Sequence, residues 1–251
     1  MKSIIKPEQL KFLILGAGGL GLALRVILYA TGIDGRGLLV ADHWSHIAVW
    51  VLTFAAVGGA FLLTRPIDGP TDHAAAYPVS LSAALGAFAA MVGIGFTVGL
   101  EFAEFSNRLN LIVWILGLGS VIAMGRIGIC RLTGKQPNVL LHAVVCLYFA
   151  LRMVSQYRLW SSDPQLQDYC FYLLAYVALM LSAYHHAAFD ADMGRHRSLW
   201  FFSLMAVYLC CLSLKSSMDT LPLLGCGMWA FTNLTAQTAC PALTLDAQAE
   251  E

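Results

Sequence analysis

The sequence predicts an all-α fold: a polytopic bundle of transmembrane helices with seven spans and a short eighth. Three observations carry this. Of 251 residues, 59% are hydrophobic and only 12% are charged, about half the charged share of an ordinary soluble domain. The apolar residues fall into stretches of about twenty, the length a helix needs to cross a hydrocarbon core about 30 Å thick. Between the stretches stand short segments of turn chemistry, among them Gly32-Ile33-Asp34-Gly35, Arg65-Pro66-Ile67-Asp68-Gly69-Pro70 and Gly134-Lys135-Gln136-Pro137.

The first span covers 12–31. It follows the basic segment MKSIIKPEQLK, and no A-x-A site succeeds it, so it reads as an uncleaved span rather than a signal peptide. Further spans cover approximately 44–64, 79–100, 109–129, 138–156, 169–189 and 198–215. Pro78, Pro137 and Pro164 stand at or just before helix starts, where a missing N–H costs little. The stretch 220–238 is apolar but short, with Asn233 and several hydroxyls toward its far end. It reads as an eighth span after the tight turn Ser216-Ser217-Met218-Asp219, with a re-entrant hairpin or an interfacial segment as the alternatives. The polar tail LDAQAEE reads as disordered. The longest connections are about 14 residues, so the chain reads as one integral membrane domain over 1–251 with no soluble head.

Lys and Arg set the expected orientation. Lys2, Lys6, Lys11, Arg65, Arg126, Arg131, Lys135, Arg195 and Arg197 fall on the side of the N-terminus. Arg36, Arg108, Arg152, Arg158 and Lys215 fall on the other, and Arg25 lies inside the first span. The bias places the N-terminus in the cytoplasm, with the chain multi-pass in the plasma membrane. The formal net charge is zero, which excludes a nucleic-acid binder, since no basic excess is present to neutralise phosphates.

Glycines are dense in the spans: Gly16, Gly18, Gly19 and Gly21 in the first, Gly95 and Gly99 in the third, Gly117 and Gly119 in the fourth. Small residues let helix backbones approach where lipid supplies no hydrophobic drive. The cysteines, at 130, 146, 170, 210, 211, 226 and 240, form no C-x-x-C pair and read as packing residues, with Cys226 and Cys240 the one pair to test for a disulfide.

Ionisable groups inside spans are expensive and mark functional sites. Arg25 lies in the outer half of the first span. Glu101 ends the third, Arg152 nears the outer end of the fifth and Lys215 that of the seventh. All four share one layer, which gives an outward-facing pocket for a small anionic or zwitterionic solute. An Arg would clamp a carboxylate or phosphate bidentately, and Lys would act as a point charge. The competing reading is anchoring at the membrane interface, with the long side chains reaching water.

A second cluster lies at the cytoplasmic edge. His186 and Asp190 are i,i+4 on one helix face beside His185, a spacing that binds metal or relays protons, with His142 in the fifth span as a third member. His142, His185 and His186 also permit a bis-His haem. His43 and His46 lie near the second span. No cofactor is required by the spacing. Neither a Walker A, a GxSxG, a TVGYG nor an HExxH motif is present.

The segment Leu24 to Leu39 (LRVILYATGIDGRGLL), and the stretch from Asp163-Pro164-Gln165 to Phe189, resemble uncharacterised multi-spanning membrane proteins of anaerobic Gram-positive bacteria. The resemblance carries no assigned function and implies only a shared Arg25/Asp34 region. From the residues, the leading expectation is a transporter or the substrate-binding membrane subunit of one, not an enzyme. Its partners would be lipid, a solute and a further copy or another membrane subunit. The alternatives are a membrane sensor or scaffold, and a haem- or metal-dependent redox protein.

Overall fold

The computed structural model describes residues 7–32, 40, 43–67, 77, 79–101, 108–161, 166–214 and 220–238. Among them eight helices follow one another: α1 (Pro7–Thr31), α2 (Trp44–Leu63), α3 (Leu81–Glu101), α4 (Arg108–Thr133), α5 (Val139–Trp160), α6 (Leu166–Asp190), α7 (His196–Leu212) and α8 (Thr220–Thr238). The described residues contain no strand. Six helices, α1 to α6, are long and apolar enough to cross a membrane, and α7 is a shorter apolar helix.

The helix ends depart from the apolar windows because backbone hydrogen bonding continues past the last apolar residue. α1 starts at Pro7 rather than near 12, and its first turns bury Leu10 and Lys11. α4 and α5 each run four residues beyond 129 and 156. α7 stops at Leu212, so Lys215 lies outside the described residues, as do Asp34 and Cys240. Cys226 is a buried free thiol.

The ends that matter most are the closings of α4 and α6 on the N-terminal side. Gly134 adopts φ +67° and the Lys135 N–H reaches the Cys130 carbonyl, a left-handed cap in which glycine carries no Cβ penalty. At α6 the same role falls to Asp192, at φ 54°, with the Met193 N–H on the Ala188 carbonyl and the Asp192 N–H on Phe189. Asp tolerates this region better than most residues. α6 is thereby closed directly after Asp190.

Helices α3, α4, α5, α6 and α7 lie side by side in chain order; α8 returns from α7 to α3, and α1 and α2 pack beside α7. α7 is buried from Ser203 to Cys210, as expected of a helix that is apolar on every side. The periphery is different. Phe54 is 70% exposed and Ile122 68%, and comparable side chains stand out along α1 to α5. Apolar surface of this extent is a liability in water and the normal state in lipid.

The stretch 220–238 is one continuous helix, not a hairpin. It runs antiparallel to α3, with Leu221 and Pro222 beside Gly93 and Trp229 and Thr232 beside Gly86. Its start is level with Gly93, eight residues and so about 12 Å short of the Glu101 end of α3. Pro222 falls in the first turn, where its missing N–H leaves no bond unmade.

On this pair glycines let backbone meet backbone. A Cβ on Gly225 would lie 2.4 Å from the Ala89 carbonyl oxygen, and one on Gly93 2.7 Å from that of Leu221. On α1, Gly18 and Gly21 meet Cys211 and Leu212 of α7, whereas Gly16 and Gly19 face open space. Gly99, half of the GxxxG pair in the sequence, has nothing within 4 Å of an added Cβ, and Gly95 only Val121 at 3.6 Å. Spacing alone does not reveal which glycines face a neighbour. Gly225→Ala is therefore expected to destabilise the protein by about 1–3 kcal/mol, while Gly99→Ala stays within about 0.5 kcal/mol of the parent. Thermal unfolding of both variants in the same detergent checks this.

Candidate functional site

Two groups of charged and polar side chains are shut inside the bundle, one toward each end. At the end opposite the N-terminus, Arg25 is 3% exposed and Arg152 5%. Arg25 donates through Nη1 to the Leu212 carbonyl at 2.9 Å, at the C-terminal end of α7 where a cation is favoured, and through Nη2 to the Tyr29 hydroxyl. Its guanidinium also lies 5.2 Å from the centre of the Phe171 ring on α6. Arg152 of α5 forms an ion pair with Glu101 of α3, whose side chain remains 30% exposed. Beside it, Ser155 donates to Asn110 of α4 at 3.2 Å. Arg25 thus packs on α6 through Phe171, while Arg152 reaches from α5 to α3.

The group at the N-terminal end is more deeply enclosed. His142 of α5 binds an Asp190 carboxylate oxygen of α6 through Nδ1, and both side chains are fully buried. Because a carboxylate only accepts, Nδ1 carries the hydrogen and Nε2 holds the lone pair. One turn back on α6, His186 meets the Tyr77 hydroxyl through Nδ1 at 2.7 Å. The imidazoles of His142 and His186 stack with centroids 5.5 Å apart and planes 17° apart. Trp229 of α8 closes the group, 4.9 Å from His186 and 6.1 Å from His142.

Arg131, in the last turn of α4, places its guanidinium 3.6 Å over the Tyr77 ring. Burial pushes the Tyr77 phenol well above its ordinary range; the Arg131 charge works against this, Asp190 adds to it, and hydrogen bonds with Gln237 and Arg131 oppose it. Tyr77 is therefore a neutral hydroxyl at any physiological pH. Gln136, in the turn after α4, donates to the Asp190 carbonyl at 2.8 Å and to the exposed carboxylate of Asp192 at 3.3 Å.

Of the residues singled out in the sequence, the structure unites His142, His186 and Asp190, and separately Arg152 and Glu101. His185 turns the other way and stacks on Phe202 of α7 at 5.0 Å. His142 engages one of the two Asp190 carboxylate oxygens. Among the described residues, no group of three or more His, Cys, Asp or Glu side chains is arranged to hold a metal ion. Sequence reasoning missed Tyr77, Arg131, Trp229 and Gln136. Arg131 had been counted as a loop cation, and Tyr77 lies 109 residues from its partner His186; the only signal at Tyr77 was its place beside Pro78.

This is a helical membrane protein with charge buried at both ends of its bundle. No protein family, no curated protein and no solved structure matches the chain.

Removing one member of a buried pair leaves the other uncompensated, which costs about 3–5 kcal/mol. His142→Ala is expected to fall in this range, tempered by Arg131. His185→Ala, which removes a stacking contact on a half-buried ring, should cost less than half as much. Unfolding of the two variants in mixed micelles tests the ranking.

Proposed function

We propose that the protein is a transporter, or the substrate-binding membrane subunit of one, for a small anionic or zwitterionic solute. It would lie in a bacterial cytoplasmic membrane with the N-terminus inside. The observation that carries this reading is the burial of Arg25 and Arg152. Interface anchoring would send both long side chains out to water; instead both are buried, and Arg152 pairs with the half-buried Glu101. Guanidinium groups held in this way, against a backbone carbonyl and a carboxylate, are preorganised to exchange a protein acceptor for a carboxylate or phosphate of a solute. Lys215 would add a third cation from the segment after α7. The absence of an ATPase motif from the sequence leaves an ion gradient or a partner subunit as the energy source. Orientation rests on the excess of Lys and Arg on the N-terminal side.

The test is a panel of amino acids, small carboxylates and phosphate esters added to the purified protein in lipid nanodiscs. A cognate solute at a hundred times its Kd stabilises by about 2.7 kcal/mol, a rise of several degrees in Tm. Arg152→Gln is expected to abolish that rise while the protein still folds. If no member of the panel moves Tm, the solute class is wrong. The orientation predicts that Cys240 resists an impermeant thiol reagent in intact cells and reacts after permeabilisation.

A further inference from the structure

The enclosed group at the N-terminal end supports a second site, independent of the solute reading. We propose that the His142–Asp190 pair takes up and releases one proton from the N-terminal side of the membrane, the proton landing on Nε2 of His142.

The argument begins with the orientation of the imidazole. Asp190 holds Nδ1–H, so the second nitrogen offers its lone pair, and Nε2 is buried with no hydrogen-bond partner. An interior nitrogen of this kind is a base in waiting, because a bare lone pair in a low-dielectric setting is left unsatisfied until it gains a proton or a donor. On protonation the imidazole becomes an imidazolium directly against the carboxylate, with no bond broken and no other group changed.

The surroundings limit uptake to one proton. Arg131 from α4 and Asp190 from α6 offset each other, and Tyr77 from the segment before α3 stays neutral. α8 contributes only the uncharged Trp229, Asn233 and Gln237. α7 contributes His196, which packs on Phe189 at 4.9 Å rather than on His142. The charge of the group therefore moves between zero and +1. A second proton on His186, stacked at 5.5 Å, would place like charges side by side. Access is from the N-terminal side, where Gln136 bridges the Asp190 backbone to the exposed Asp192 carboxylate.

The experiment is a pH titration of the full chain, labelled with ¹⁵N in its histidine rings and held in nanodiscs. The His142 signal is identified by its loss in His142→Gln. Nε2 is expected to pass from unprotonated to protonated in one step as the pH is lowered. Asp190→Asn should move the midpoint down by about one unit or more, a tenfold loss of proton affinity. Arg131→Gln should move it up, so each variant gives a signed shift against the parent that stands without the other. A nitrogen that keeps one protonation state throughout, or a midpoint that neither substitution moves, overturns the proposal.

Discussion

A carboxylate and an imidazole closed away from water, Asp190 and His142, constrain the rest of the bundle. Neither group is tolerable alone in such a place, since an unpaired buried ion costs several kcal/mol. The pairing fixes α5 against α6 at one depth and one rotation. α6 must then end where it does, and its left-handed cap at Asp192 serves that end. His186 follows one turn away, and with it Tyr77, Arg131 and Trp229 are drawn to the same point. Four helices and the segment before α3 thus meet at one polar contact.

Around that contact the bundle is held by close approach rather than by burial of oily surface, because lipid is as apolar as the side chains it replaces. The α3–α8 pair shows how. Gly93 and Gly225 let each backbone come within reach of the other's carbonyls, and dispersion between main chains takes the place of side-chain interdigitation. Polar ties supplement it between other helices: Thr53 of α2 meets the Tyr208 hydroxyl of α7 at 2.9 Å, and Ser182 of α6 meets Ser203 of α7 at 3.0 Å. Trp114 of α4 donates to the Val98 carbonyl of α3 at 2.9 Å. Such bonds contribute modestly each in a membrane, yet they fix rotation about a helix axis, which packing alone leaves loose.

The two buried polar groups differ in chemical character. Toward the end opposite the N-terminus, permanent cations dominate, and their partners are a carbonyl and a carboxylate at the edge of the bundle. Toward the N-terminal end Arg131 and Asp190 carry opposite charges beside the stacked rings of His142 and His186. α5 and α6 run between the two, carrying Arg152 and Phe171 at one end and His142 and Asp190 at the other.

The sequence by itself determined the class of fold and the succession of helices, because hydropathy and turn chemistry are local properties of the chain. His186 and Asp190 could be placed on one face from their spacing, and His142 put at the same depth. Tertiary structure decided which side chains at a given depth actually meet. Arg25 and Arg152 lie in one layer in the sequence, yet one binds α7 and the other α3; Arg131 leaves the loop it was counted in and covers Tyr77. Gly18 and Gly21 face a neighbour where Gly16 and Gly19 do not. The reason is that a membrane helix is apolar toward lipid and protein alike, so its sequence records depth along the membrane normal but barely records rotation and neighbours in the membrane plane.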